Sequence, residues 1–275
     1  MKIQRIAAFS DGDSGGNPAG VVLYDRLPEA SVMQAIAKEV GYSETAFAAR
    51  MQEGWRVRYF APEIEVPFCG HATIALGAVL AMEHGDGVFP LTLNDAEITV
   101  EGKKDGATFA AALQSPPTLS EPASARLIED ALKLFSYTSA DLDPRIPPAI
   151  ASVGTRFMAI ALNSREKLRA MHYDLDAGRR FMTDLNIATI TLAYAETPQL
   201  FHTRNPFASG GVYEDPATGA GTAAFAGYLR DLGWPHEGVI HVVQGEDMGM
   251  RSRLKAEIPS ASGSSIRVSG TARVM

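Results

Sequence analysis

Residues 65–80 read EVPFCGHATIALGAVL, and residues 214–229 read EDPATGAGTAAFAGYL. Laid over one another without a gap, at a constant offset of 149, the two stretches agree at six of sixteen positions. Glu65 matches Glu214, Pro67 matches Pro216, Gly70 matches Gly219, Thr73 matches Thr222, Ala75 matches Ala224 and Leu80 matches Leu229. In both, a turn with proline leads through glycine into Ala, Gly, Thr and large apolar residues that show no polar face. A helix that is apolar all round has to be buried on every side. The expected fold is therefore α+β: two pseudo-symmetric halves, each a curled mixed β-sheet wrapped around a central apolar helix.

A buried helix still leaves about four backbone N–H groups unpaired at its start, together with a partial positive charge, so that end must be capped or must receive an anion. Gly70, His71, Ala72 and Thr73 form one such start, and Thr218, Gly219, Ala220 and Gly221 the other. Facing a common cleft, they would make a dry cradle for a small carboxylate.

Outward from these segments the chain punctuates into short elements. IQRIAAFS, VVLYD, SETAFAAR and WRVRYFAP have strand patterns, and Val32, Ile36 and Val40 recur at helical spacing after Pro28. QSPPTLSEPASA at 114–125 is rich in Pro and Ser, where neither a helix nor a central strand is expected to persist. The halves are accordingly placed at residues 1–115 and 118–275, with a terminal strand at 266–275 that is free to pair with the first half. Beyond the boundary, 123–135 and most of 164–185 read as helical, and strands return at ATITLAYA, QLFHTRNPF, GVIHVVQG and SRLKAEI.

Composition narrows the function. A formal charge of −7 with scattered Lys and Arg argues against nucleic acid, whose backbone demands clustered cations. No window approaches the roughly 20 apolar residues of a membrane span, and the N-terminus lacks the apolar core of a signal peptide. With Cys69 as its one cysteine the chain forms no internal disulfide, which points to the cytoplasm. No zinc or calcium motif is present, and no metal is expected.

For each candidate residue two readings stand. Glu44 is either a strand-edge carboxylate facing water or a buried base suited to moving protons to and from carbon. Asp215 is either a helix cap or a polar partner of substrate. Cys69 and His71 form either a buried hydrophobe beside a structural histidine or a nucleophilic pair. Residues two apart seldom aim at each other, and no orienting acid is evident locally, which weighs against the pair. A two-thiol racemase is excluded, because the duplication puts Thr218 where the second cysteine would stand.

The motifs GNPAGVVL at 16–23, SETAF at 43–47, FAPEIEVPFCGHAT at 60–73, EDPATGAGTAA at 214–224 and QGEDMG at 244–249 resemble, nearly end to end, the phenazine-biosynthesis PhzF-like family. That resemblance implies the diaminopimelate epimerase fold, with the active site between two similar halves. It also implies a cofactor-free isomerase, commonly homodimeric, in which a glutamate moves a proton between ring carbons of trans-2,3-dihydro-3-hydroxyanthranilate. Glu44 holds that glutamate's motif position, and His71 and Asp215 those of its polar partners. Gly70, Gly219 and neighbouring amides hold those of the carboxylate cradle. Ala220 stands where many relatives carry serine, so one hydroxyl contact to substrate is missing. A one-base epimerase of another small acid and a non-catalytic acid-binding protein are the rival readings.

Overall fold

The computed structural model describes residues 2–275. The chain divides into two compact units: one holds the residues up to Gln114 together with Ser269–Met275, the other Ser115–Val268. The first carries β1 (Gln4–Ala8), β2 (Asn17–Tyr24), α1 (Ala30–Val40), β3 (Glu44–Arg50), β4 (Trp55–Phe60), β5 (Glu65–Val66), α2 (Gly70–His84), β6 (Gly87–Thr92), β7 (Glu97–Asp105) and most of β8 (Thr108–Pro117). The second carries β9 (Leu119–Pro122), α3 (Ala125–Leu134), β10 (Ala149–Ser152), β11 (Arg156–Ala161), α4 (Arg165–Arg169), α5 (Leu175–Asp184), β12 (Thr189–Ala195), β13 (Leu200–Phe207), β14 (Val212–Asp215), α6 (Gly219–Leu232), β15 (Val239–Gln244) and β16 (Ser252–Glu257). The last strand, β17 (Ser265–Val274), closes the chain and pairs antiparallel with β1, Ile6 facing Val274.

The duplication read from sixteen residues extends to strand pairing. In the first unit β1–β2 is antiparallel, β2–β3 parallel across α1, β3–β4 antiparallel, β4–β6 parallel across α2, and β6–β7 antiparallel. The second repeats the same order: β10–β11 antiparallel, β11–β12 parallel across α4 and α5, β12–β13 antiparallel, β13–β15 parallel across α6, and β15–β16 antiparallel. The parallel pairs require crossovers, and the helices supply them.

Each unit wraps strands around its own helix. Twelve of the fifteen residues of α2 and eleven of the fourteen of α6 are buried, so neither helix has a solvent face. Helix α2 lies against β1, β2, β3, β6 and β7, and α6 against β9, β10, β11, β12 and β16. Burial of Ile74, Leu76, Val79 and Leu80 contributes about 1.5–3 kcal/mol for each side chain. Glycine sets the packing distance: a Cβ added at Gly102 of β7 would lie 2.1 Å from the Gly77 carbonyl oxygen of α2. Arg230, charged within the buried α6, is neutralised by Asp231 and donates to the Ser264 carbonyl and the Thr118 hydroxyl.

One expectation needs correction. Strand structure persists through the Pro/Ser-rich stretch, since β8 runs to Pro117 and β9 pairs with β10, Pro122 opposite Ala149. Proline tolerates the ends of strands, so its density does not distinguish a linker from a strand terminus. The mostly helical reading of 164–185 holds as two helices separated at 170–174: Ser164 caps α4 and Asp174 caps α5, accepting from the Ala177 N–H at 2.7 Å.

Candidate active site

Glu44 is the first residue of β3, in register with Ala19 of the parallel β2. Its side chain is 9% exposed, so the water-facing reading of this carboxylate does not hold. The nearest basic group is His71, whose Nε2 lies 3.4 Å from Glu44 Oε2, and that oxygen has no hydrogen-bond partner. A buried polar atom of this kind is rare and costs stability unless something else occupies it.

His71 is the second residue of α2, and its ring is held on both sides. Nε2 lies 3.3 Å from Ser43 Oγ, and Nδ1 lies 3.3 Å from Cys69 Sγ. The pair two apart in sequence therefore does meet, contrary to expectation, and Glu44 is the acid that no local pattern revealed. Cys69 precedes the helix in an extended conformation, φ −142°, which turns its side chain to the same side as His71.

The start of α2 is pinned from below. The Thr73 hydroxyl donates to the Cys69 carbonyl at 2.7 Å, and Tyr59 lies 2.7 Å from the same hydroxyl. Burial drives the Tyr59 phenol well above its ordinary pKa, so it stays protonated and donates. Thr73 was expected to bind substrate, yet its hydroxyl is engaged in this peg. The first backbone bond of α2 runs from the Thr73 N–H to the Cys69 carbonyl. The N–H groups of Gly70, His71 and Ala72 thus precede the ladder, and no side chain caps them.

The second unit repeats the arrangement with different chemistry. Thr218 precedes α6 without capping it; its hydroxyl donates instead to Asp215 Oδ2 at 2.5 Å. Asp215, 7% exposed at the end of β14, is the acceptor of that hydroxyl. Gln244, the last residue of β15, accepts from the Thr218 N–H at 3.0 Å and donates to the Asp215 carbonyl at 2.7 Å and to the Thr218 hydroxyl at 2.9 Å. Gly219 and Gly221 are buried in the first turn of α6 and Ala220 is partly exposed. Next to Asp215, Glu214 grips Arg204 through bonds of 3.0 and 2.5 Å. Burial alone would lower the Arg204 pKa, but Glu214 outweighs it and the net shift is upward.

Sequence reasoning assigned no role to Ser43, Tyr59, Arg204 or Gln244. Ser43 and Gln244 lie inside the quoted SETAF and QGEDMG motifs, where the motif was visible but the bond was not. Following Gln244, Glu246 and Asp247 line a polar cavity of about 400 Å³ with Arg165, Arg169, Glu196 and His202. Five of its charged groups pair with one another: both His202 ring nitrogens lie 2.6 Å from carboxylates of Glu246 and Glu196, and Arg165 binds Glu246 and Asp247.

A duplicated α+β chain with a buried Glu–His pair at an uncapped helix start is the class that fold and site define. The chain belongs to the family described as phenazine biosynthesis-like protein, whose sequence profile it matches over residues 6–275. An uncharacterized isomerase of Mesorhizobium japonicum is 32% identical, over 96% of this chain and 93% of that one. Among solved structures, a phenazine biosynthesis protein of the PhzF family from Bacillus anthracis superposes with a TM-score of 0.86 at 20% identity, covering 100% of this chain and 98% of that one. A predicted epimerase from Pseudomonas aeruginosa gives a TM-score of 0.87 at 23% identity, over 99% and 96% of the two chains. Among the described residues no helix is long and apolar enough to cross a membrane.

Proposed function

We propose that the chain is a cofactor-independent isomerase that moves a proton between carbons of a small carboxylate-bearing substrate, with Glu44 as the proton carrier. The observation that carries this reading is the buried Glu44 Oε2, which has no hydrogen-bond partner and lies 3.4 Å from His71 Nε2. A carboxylate oxygen without a fixed partner is open to a substrate C–H, and a poorly solvated base removes such a proton more readily than one bound by water. His71 and Asp215 serve as the polar partners that position an amine or hydroxyl and stabilise developing charge. The substrate carboxylate is bound by the amides of Gly70, Ala72, Gly219, Ala220 and Gly221 at uncapped helix starts, with Thr218 beside them. Membership of a family whose curated relative is named an isomerase supports the reaction class.

The same carrier would serve one-base epimerisation of another small acid. The unpartnered Glu44 Oε2 is the observation behind that second reading as well, since one base that removes a proton from a carbon can return it to the same carbon.

The test is NMR in D₂O with 2,3-dihydro-3-hydroxyanthranilate and a panel of small amino and hydroxy acids, offered to the protein and to its Glu44→Gln variant. Glu44-dependent isomerisation, or deuterium entering a C–H bond with the skeleton rearranged, supports the isomerase. Inversion at a single carbon selects the epimerase. Unchanged turnover by Glu44→Gln removes both.

A further inference from the structure

We propose that Glu44, Cys69 and His71 form a binding site for a borderline-soft divalent cation of the zinc type, and that its occupancy silences Glu44. One ligand atom from each side chain lies within 4.8 Å of the others, and all three residues are buried. The set comprises a thiol, an imidazole and a carboxylate, which suits Zn²⁺ or Co²⁺ and disfavours Mg²⁺ and Ca²⁺, whose sites are built from oxygen.

The Glu44–His71 distance agrees with this choice, and the Cys69 thiol has to move to join it. Metal bonds of about 2.3 Å to sulfur and about 2.0–2.1 Å to nitrogen and oxygen place tetrahedral ligand atoms about 3.4–3.6 Å apart. His71 Nε2 and Glu44 Oε2 are 3.4 Å apart, while Cys69 Sγ is 4.0 Å from the same nitrogen and 3.3 Å from Nδ1, so binding requires the thiol to swing from the Nδ1 side to the Nε2 side. The independent sign of a ligand is Glu44 Oε2, a carboxylate oxygen on a side chain nine-tenths buried, directed at the cluster and without a hydrogen-bond partner. Three protein ligands leave the fourth tetrahedral position for water. On binding, the Cys69 thiol gives one proton to solvent and its sulfur pair to the metal, while Glu44 donates the oxygen that proton transfer would use.

The test uses the full chain, treated with chelator, desalted and titrated with Co²⁺. The expected result is one Co²⁺ per chain, with a near-ultraviolet thiolate-to-cobalt band and the intense visible bands of a four-coordinate ion. Zn²⁺ should abolish the spectrum and excess Mg²⁺ should not. Cys69→Ser should remove the thiolate band, and Glu44→Gln and His71→Ala should each weaken binding by at least the roughly 10–100-fold that outer-shell changes cost. Circular dichroism checks that each variant is folded. A folded native protein with no thiolate band at excess Co²⁺, or a Cys69→Ser variant that keeps it, overturns the site. The silencing rests on the isomerase reading and is measured separately, as loss of Glu44-dependent exchange at one equivalent of Zn²⁺ and its return with chelator. The spectra need no substrate, so failure of the metal site and failure of the isomerase reading are distinguishable.

Discussion

Replacing Gln244 with methionine isolates what one carboxamide does for the loop that carries Asp215 and Thr218. Gln244 is 1% exposed, and its head group bonds the Thr218 N–H, the Asp215 carbonyl and the Thr218 hydroxyl. Methionine keeps nearly the same volume, so the cavity contribution is small. The buried Thr218 N–H loses its acceptor and the Asp215 carbonyl loses one donor, and each such loss costs about 1–3 kcal/mol. The Thr218 hydroxyl keeps Asp215 Oδ2 as its acceptor. The expected destabilisation is therefore about 2–6 kcal/mol, nearer the lower end where water reaches the groups. Urea denaturation should show a lower midpoint with an unchanged slope, since the surface exposed on unfolding is the same. Amide exchange at Thr218 should accelerate selectively. Because the loop also sets the position of Asp215, turnover of any substrate should fall, about 10²-fold for a shift near 1 Å. A Gln244→Met variant within about 0.5 kcal/mol of the native protein, with Thr218 exchange unchanged, would refute the reasoning.

Glu44→Gln should lower the rate of C–H exchange by about 10²–10⁴-fold without lowering the urea midpoint, because the lost oxygen has no hydrogen bond to forfeit; a destabilised variant would mean the carboxylate is structural. Gly102→Ala should destabilise by about 1–3 kcal/mol or more, since its Cβ meets the Gly77 carbonyl at 2.1 Å. Gly106→Ala, at φ +60° with open space around it, should cost only about 1–2 kcal/mol, and thermal melts that reverse this order would count against the close approach of β7 and α2. Asp141 is held down to about 2, below its ordinary 3.8, by the Lys167 ammonium and by the Thr138 N–H and hydroxyl. Its folded value is depressed, so the unfolded chain binds more protons across this window. The contribution is complete above about pH 4 and is lost as pH falls toward about 2. Acid unfolding followed by circular dichroism should therefore show a shallower pH dependence for Asp141→Asn than for the native protein.

Much of the fold was legible because burial on all sides leaves a compositional mark. The stretches beginning at Glu65 and Glu214 lack a polar face, and the helices they predict begin at Gly70 and Gly219, separated by the same 149 residues as the aligned sequence. Glu44 was visible as a charge within an apolar strand. The geometry around it was not, because periodicity gives the side of an element and not the direction of a side chain. Cys69 meets His71 only because an extended residue precedes the helix, and Glu44 joins them from a strand 25 positions earlier in the chain. Gln244 was hidden for a similar reason: its three bonds reach residues 26 and 29 positions away. The break at 170–174, inside the stretch read as mostly helical, has a local signal in Asp174, a strong helix-capping type.

The duplication also shows where the two units have diverged in chemistry while keeping a common frame. Cys69 and Thr218 occupy equivalent places before their helices, but the surrounding polar groups are different. In the first unit the residue contacts a titratable ring beside a carboxylate that has an open oxygen. In the second it is locked between Asp215 and Gln244, with its hydroxyl proton and its amide both engaged. A group that must accept and release a proton during turnover needs an unengaged acceptor, whereas a group that orients substrate gains from being fixed. The frame is shared, and this difference in hydrogen-bond commitment supports the proposal that Glu44 moves the proton and the Asp215 loop positions substrate.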